Sequence, residues 1–477
     1  MTDLLKNAYD PEFFRQQGHR LVDMLADYLH QVHNSPSQMK VLDWIPPEEL
    51  LDKWQKDFES APHLELSELF GNLVEETIHL HHPQYLGHQT SNVLPAAALA
   101  TLAGGFLDPG MGVYEQGTSG VAFERLLIQD LAARMGMTAQ ADGFLTSGGT
   151  LGNLTALLCA RQVMIEQDVW EKGYEGKKYG FLVSAEAHYS VARAVQVMGM
   201  GSGGVVPVPV NENYQLDAEC LEEYYQKATD RGIQIIGAVA SACSTAVGAY
   251  DPIDQLADFC EEKKLWLHVD AAHGGCVLFS KKYKHLLRGI ERADSVILDF
   301  HKMLMTPSLV TALVFRQGNY SYQTFAQKAS YLWEEEGGQE WYNLAKRTFE
   351  LTKTSMSIRI YAMLRTYGEK VFEENVDVLY DLAKWFSEII AAEDDFQMAV
   401  PFPESNILCF RYFREDLREE ELDDINLRIR ESIARDGEFF IVQTRVDGRL
   451  FLRTSLMNPF TNEDELRGLL RKIKKLL

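Results

Sequence analysis

Between Val121 and Phe315 the chain alternates helical periodicity with short apolar runs. Strands that alternate with helices need crossover connections, and these give a mostly parallel sheet whose faces are covered. The sequence therefore predicts an α/β fold around a buried, mostly parallel central sheet. The strand-like runs are Phe181 to Val183, Ile233 to Ala240, Leu265 to Val269, Ser295 to Leu298 and Thr311 to Phe315.

The two ends of the chain have a different character. The first ninety or so residues read as helices and extended links without a full core of their own, so they need the main body or a second subunit to pack on. Near the other end, Asp447-Gly448 separates two apolar runs, a strong hairpin signal because both residues tolerate positive φ. We predict a helical N-terminal segment (1–90), a large domain (91–365) and a small α+β domain (366–477).

Composition excludes several classes of partner. The chain has 477 residues and a formal net charge of −23, and such a surface repels nucleic acid and anionic lipid. Its six cysteines are scattered without a Cys-x-x-Cys pair, and the spacing of His79, His81 and His82 fits no common zinc site. The start shows no signal-peptide pattern. We expect a soluble, cytoplasmic protein without a metal, a nucleic-acid partner or a membrane partner.

The first residue that suggests chemistry is Lys302. It follows the apolar run that ends at Leu298, and lysine rarely sits beside a buried strand without a reason. An ordinary surface lysine at a strand tip is the alternative. A desolvated lysine is also the residue that forms a Schiff base with an aldehyde cofactor.

A second candidate, Asp270, ends another apolar run and precedes small residues. The carboxyl end of a parallel strand is where such sheets bind ligands. A turn cap is the alternative interpretation. A carboxylate there can keep a pyridine nitrogen protonated, which makes the ring an electron sink.

Two further motifs precede these residues in the chain. Thr146-Ser-Gly-Gly-Thr150 leads into a helix, and a glycine-rich helix start exposes N–H groups that favour an anion. An ordinary glycine turn would look the same. His188 follows a predicted strand, and its flat imidazole could stack on a cofactor ring or serve only structure.

Together these motifs resemble the pyridoxal-phosphate (PLP) dependent group II amino-acid decarboxylases, which share the aspartate-aminotransferase fold (fold type I). The order of phosphate turn, stacking His, ring Asp and His-Lys is that family's order. The resemblance implies an enzyme that removes the α-carboxylate of an L-amino acid, and a homodimer. It implies that Lys302 holds PLP and contributes to catalysis with His188 and Asp270. The cofactor-binding residues that it implies are Gly149, Thr150, His188, Thr245, Asp270, Ala272, His301 and Lys302.

The resemblance also assigns a substrate-side segment and a mobile loop. Tyr85, His88 and Gln89 match the family's substrate-side strand. Aromatic-amino-acid decarboxylases place more aromatic residues there, whereas polar side chains suit a carboxylate or an amine on the substrate. The polar stretch from Gln317 to Gly338 predicts a flexible segment, and Tyr331 within it is our candidate proton donor.

Three questions stay open at this stage. The first alternative is another fold type I reaction, such as that of an aldol-type lyase, a desulfurase or an aminotransferase, because fold does not fix reaction. The second is a non-catalytic relative, against which the complete set of Lys302, Asp270 and His188 argues. The substrate is not named by the sequence: glutamate, aspartate, diaminobutyrate and aromatic amino acids all remain.

Overall fold

The structure is a computed structural model that describes residues 2–60, 65–325 and 340–477. The chain forms two compact units. The first unit contains Met1–His88, Glu393–Gln397 and Phe410–Leu477, and the second contains Gln89–Ala392 and Met398–Cys409. The division into parts 1–90, 91–365 and 366–477 stays a prediction.

Helices make up much of both units. In chain order they are α1 (Asp3–Ala8), α2 (Pro11–Asn34), α3 (Pro47–Glu59), α4 (Leu66–Glu76), α5 (Pro95–Leu107), α6 (Tyr114–Met135), α7 (Gly149–Met164), α8 (Val169–Lys172), α9 (Tyr189–Val197), α10 (Leu221–Asp230), α11 (Ile253–Lys263), α12 (Asn319–Phe325), α13 (Ser357–Tyr367), α14 (Lys370–Ala391), α15 (Glu419–Asp436) and α16 (Glu463–Lys475). Asp10 caps α2, since its side chain accepts a hydrogen bond from Glu12 N–H and Pro11 stands in the first turn.

Strands form two sheets. They are β1 (Asp142–Thr146), β2 (Lys178–Ser184), β3 (Val205–Val208), β4 (Ile233–Ser241), β5 (Trp266–Asp270), β6 (Ser295–Asp299), β7 (Thr311–Phe315), β8 (Phe396–Met398), β9 (Ile407–Tyr412), β10 (Val442–Val446) and β11 (Arg449–Ser455). The seven-stranded sheet has the order β1-β7-β6-β5-β4-β2-β3, and the four-stranded sheet has the order β10-β11-β9-β8.

The seven-stranded sheet confirms the predicted mostly parallel α/β core. Strands β3, β2, β4, β5 and β6 are consecutive neighbours in the sheet, and each pair of neighbours among them is parallel. Only β7 runs the other way, antiparallel to both β6 and β1. It follows that β1 and β6 point in the same direction, so their carboxyl ends lie at the same edge of the sheet.

The core of the second unit is apolar and tightly buried. All five residues of each of β1, β5, β6 and β7 are buried. Phe144, Trp266 and Phe315 belong to one hydrophobic cluster on the side of α7. Full burial of a large apolar side chain contributes roughly 1.5–3 kcal/mol, so this cluster fixes the strand ends rigidly relative to one another.

One buried ion pair secures β1 just before the glycine turn. Lys353 and Glu124 are paired at 2.5 Å, and their side chains are only 1% and 2% exposed. Glu124 accepts the N–H of Leu145 at 3.0 Å, and Lys353 donates to the Leu145 carbonyl at 2.7 Å. Because buried charges are tolerated only when paired and hydrogen-bonded, this contact holds the end of β1 in one place.

The first unit contains the predicted hairpin. Asp447 and Gly448 join β10 to β11 with φ of 49° and 79°, the left-handed conformation that a two-residue turn of this kind requires. The strand before the turn begins at Val442. None of the helices in the described ranges combines the length and the apolar character needed to cross a bilayer.

Candidate active site

The predicted functional residues of the second unit meet at one edge of the large sheet. Asp270 is the last residue of β5, and Lys302 follows the end of β6 by three residues. The glycine turn follows β1, and His188 follows β2. Carboxyl ends of strands that run the same way lie together, and this edge is where open α/β sheets bind ligands.

A cavity of about 320 Å³ lies at this edge. All eight residues that the sequence assigned to the cofactor line it: Gly149, Thr150, His188, Thr245, Asp270, Ala272, His301 and Lys302. The structure thus brings the set together, although the individual roles stay predictions.

Lys302 faces a carboxylate that the sequence analysis gave no role. Its Nζ lies 3.2 Å from Oδ2 of Asp299, whose side chain is 2% exposed. Thr311 donates a hydrogen bond to the other oxygen of Asp299, and His301 Nε2 lies 3.6 Å from the first. The amine of Lys302 is therefore held beside a buried negative charge, with 21% of its side chain still exposed.

The carboxylate of Asp270 accepts hydrogen bonds on both oxygens. Asn153 Nδ2 donates to Oδ2 at 2.8 Å, and the backbone N–H of Ala272 donates to Oδ1 at 3.2 Å. Asn153 lies in the second turn of α7 and also bonds His268, two residues before Asp270 on β5. Side chains two apart on a strand share a face, so the spacing of His268 and Asp270 was a signal that the sequence analysis did not use.

His188 is positioned by the start of α9. It is the N-cap of this helix, and its Nδ1 lies 2.7 Å from Ser190 Oγ. Burial lowers the pKa of His188; Lys302 also lowers it, whereas the negative charge of Asp270 opposes the shift. The imidazole is therefore favoured in its neutral form, which suits packing against a flat aromatic ring.

The glycine turn opens the start of α7 towards the cavity. Gly148 precedes the helix with φ of 101°, a conformation that L side chains rarely adopt, and it has no side chain to cap the helix. The first N–H groups of α7 can therefore serve an anion. A Cβ at Gly149 would stand 3.5 Å from both carboxylate oxygens of Asp299, so the helix start lies directly against that side chain.

These groups fit PLP by their chemistry. A helix N-terminus suits its phosphate, a carboxylate that only accepts suits its pyridine N–H, and a neutral imidazole suits its ring face. Lys302 supplies the amine that its aldehyde requires. Each function of the cofactor thus has a matching group in one cavity.

The lining of this cavity does not include Tyr85, His88 or Gln89. Tyr85 and His88 belong to the first unit, where Tyr85 is 2% exposed and its ring stacks on Phe440 at 5.5 Å. Gln89 begins the second unit and does not line the cavity. Tyr331 lies outside the described residues. Of the flexible segment predicted over 317–338, residues Asn319–Phe325 form α12, and 326–338 are outside the described residues.

Comparison with known proteins identifies the family. The profile described as "Pyridoxal-dependent decarboxylase conserved domain" matches residues 75–413, more than half of the chain. The chain belongs to this family. The predictions of fold type I, of PLP as cofactor and of an amino-acid carboxy-lyase are confirmed, in preference to the other fold type I reactions and to a non-catalytic relative.

Individual relatives of this pyridoxal-dependent decarboxylase span several substrates. It is 27% identical to the aromatic-L-amino-acid decarboxylase of Bacillus atrophaeus, over 98% of this chain and 95% of the relative. It is 28% identical to the human acidic amino acid decarboxylase GADL1, over 92% of this chain and 86% of the relative. The crystal structure of mouse CSAD matches with a TM-score of 0.90 at 25% identity, over 98% of this chain and 99% of that one.

Proposed function

We propose that this decarboxylase acts on an amino acid with an acidic side chain. The observation that carries the proposal is a group of cations in the first unit. Arg453 is 6% exposed, and the Nε of Arg430 is buried and has no hydrogen-bond partner among the described residues. Partial desolvation lowers the pKa of His88, and the positive charges of Arg453 and Arg430 lower it further.

The Nε of Arg430 is a buried cationic donor without a partner among the described residues, and burying such a group is costly unless an anion accompanies it. His88 belongs to the segment that the family resemblance assigns to the substrate. The positive charge near His88 therefore favours a substrate that carries an acidic group in addition to its α-carboxylate. The same positive charge disfavours the side-chain ammonium of diaminobutyrate. Identities of 27% and 28% to relatives named for aromatic and for acidic substrates do not discriminate between these substrates, and the positive charge near His88 supports the acidic one.

A panel of amino acids tests this proposal. We expect CO₂ release from aspartate, glutamate or cysteine sulfinate with a kcat/KM at least tenfold above that for diaminobutyrate, tryptophan or DOPA. Arg430→Gln should lower kcat/KM for the acidic substrate by about 10- to 100-fold, because a hydrogen bond to a charged group is lost. Arg428→Gln, on the exposed face of the same helix α15, is the matched control and should leave it unchanged. A preference for an aromatic or a basic substrate would refute the proposal.

We propose the following roles inside the cavity. Lys302 binds the aldehyde of PLP, and Asp270 pairs with the pyridine nitrogen. His188 and Ala272 pack on the two faces of the ring. The remaining cofactor contacts come from Gly149 and Thr150 at the phosphate and from Thr245 and His301 beside the ring.

When bound, PLP supplies an aldehyde that joins amines and a ring that accepts the electron pair left at Cα when CO₂ departs. The chain's own residues do the rest. Asp270 keeps a proton on the ring nitrogen, and the Asp299 carboxylate stabilises the Lys302 ammonium whenever that amine is not joined to the cofactor. In our proposal Tyr331 returns a proton to Cα, and Tyr85, His88 and Gln89 contact the substrate.

We also propose that the enzyme is a homodimer. The support is a row of exposed apolar side chains on α5: Leu99, Leu102, Phe106 and Leu107 are 47–71% exposed. Apolar rows of this kind on a helix are typical of subunit interfaces.

A charge placed in this row should disrupt the dimer. We expect the wild-type protein to elute at the mass of two chains in size-exclusion chromatography with light scattering, and Phe106→Glu to shift it towards one chain, because a carboxylate would be buried unpaired. Phe402→Glu, at an apolar residue that is 87% exposed and distant in sequence from α5, is the control and should leave the mass unchanged. A wild-type monomer would contradict the proposal.

Finally, we propose the cytoplasm as the site of action. Six thiols, five of them buried, form no disulfide in the described part of the chain. Proteins of reducing compartments keep their cysteines in this state.

A further inference from the structure

A series of buried hydrogen bonds leads to Asp270. The donor at its first member determines which atom donates and which accepts at each later step. Trp266 Nε1 donates to Ser295 Oγ at 2.9 Å, and an indole N–H can only donate. The same Oγ lies 2.8 Å from His268 Nδ1. Ser295 is fully buried, so its hydroxyl proton needs an acceptor. Among the described residues, His268 Nδ1 is the one acceptor within hydrogen-bond distance, so Ser295 donates to it.

The next link follows from the neutrality of His268. This side chain is fully buried, and desolvation lowers its pKa to about 4. A neutral imidazole carries one N–H, and Nδ1 already accepts from Ser295. The proton is therefore on Nε2, which donates to Asn153 Oδ1 at 2.8 Å.

At Asn153 the chain divides into two arms. With Oδ1 directed at His268, the NH2 group of Asn153 faces Asp270 and Ser190. One hydrogen bonds Asp270 Oδ2 at 2.8 Å, and the other bonds Ser190 Oγ at 2.9 Å. Ser190 is fully buried and accepts from Asn153, so its own proton goes to His188 Nδ1 at 2.7 Å, and the longer contact from the Ser190 backbone N–H at 3.4 Å acts in the same direction.

We infer that His268 is a positioning residue that holds the Asn153 amide in the orientation that the acceptor-only carboxylate of Asp270 also requires. One arm of the amide then supplies a hydrogen bond to Asp270, which stays an acceptor for the ring nitrogen. The other arm, through Ser190, makes His188 Nδ1 an acceptor, so the proton of neutral His188 is on Nε2. The inference extends the proposed function, because it rests on the roles proposed for Asp270 and His188.

The decisive comparison is His268→Phe with His268→Gln. Phenylalanine fills the space without a donor, so Asn153 Oδ1 loses its partner and the amide is held less firmly by Asp270 and Ser190 alone, whereas glutamine can still donate to Asn153 Oδ1. The readout is ¹⁵N NMR of the holoenzyme labelled at histidine, with the His188 signals assigned by their loss in His188→Gln. In the wild-type protein we expect a protonated Nε2 and an unprotonated Nδ1. In His268→Phe we expect a mixture of tautomers and an apparent PLP dissociation constant about tenfold higher, and in His268→Gln a return towards wild type.

Trp266→Phe provides a second, more remote test should His268→Phe fail to fold. It removes the first donor without altering any residue that lines the cavity, and it should shift the His188 tautomer in the same direction by a smaller amount. An unchanged His188 tautomer in His268→Phe and Trp266→Phe, or equal behaviour of the Phe and Gln variants at position 268, would overturn the inference. A changed tautomer with unchanged PLP affinity would uphold it and count against the roles proposed for Asp270 and His188.

Discussion

Lys302→Ala is expected to abolish turnover, with kcat at least about 10³-fold lower, because it removes the amine that we propose to bind the cofactor and to transfer protons. The visible absorption band that PLP gives when joined to a protein amine should also disappear. Borohydride reduction followed by peptide mapping should label Lys302 in the wild-type enzyme and leave the variant unlabelled. CO₂ release measures the first effect, and mass spectrometry measures the second.

Lys302→Arg is the charge-matched variant for this test. The lysine lies 3.2 Å from the buried carboxylate of Asp299, so alanine removes an ion pair as well as an amine. Arginine keeps the positive charge but remains protonated and is a poor nucleophile. Both variants should be inactive if the chemistry of the amine matters. Full activity in Lys302→Ala, or labelling at another lysine, would disprove the assignment.

Asp270→Asn should reduce kcat by roughly 10²- to 10³-fold, the usual effect of losing one preorganised electrostatic group at a reacting centre. The amide keeps the shape of the side chain but loses the charge that, in our proposal, holds a proton on the ring nitrogen. The phosphate contacts proposed at the start of α7 would remain, so part of the PLP affinity should persist. Steady-state kinetics and PLP titration by absorbance measure the two effects separately.

Asp294→Asn is a suitable control for that variant. Asp294 is also buried and precedes β6, at the opposite end of the strand from Lys302. It accepts the N–H of Leu267 at 3.0 Å and pairs with Arg316. Its replacement should lower thermal stability while leaving kcat close to wild type. Unchanged kcat in Asp270→Asn would remove the role proposed for that carboxylate.

The sequence, together with the family resemblance, predicted the residues that line this cavity, and four of its features follow strand ends. A run of buried apolar residues shows where a strand stops, and parallel strands bring their carboxyl ends together whatever their order. Lys302, Asp270, His188 and the glycine turn could therefore be assigned to one site without knowing the strand order. Asp447-Gly448 was predictable for a similar reason, since a two-residue turn is a local property.

Residues that act through tertiary contacts were not predicted. Asp299 looks like any strand-terminal acid until the fold places it beside Lys302. Asn153 and Ser190 are 37 residues apart in sequence and bond each other only because α7 and α9 pack together. The reversal of β7 was also missed, although the link from Asp299 to Thr311 is too short for the helical crossover that a parallel partner needs.

The alternation of side chains along β5 has a consequence for how this enzyme can change. His268 and Asp270 share one face of the strand, and Leu267 and Val269 share the other. Inserting or deleting a single residue before Asp270 would turn the carboxylate into the apolar interior and carry a leucine or valine into the cavity. Evolution and protein engineering can vary the loops around the sheet, but this strand tolerates insertions and deletions only in steps of two residues.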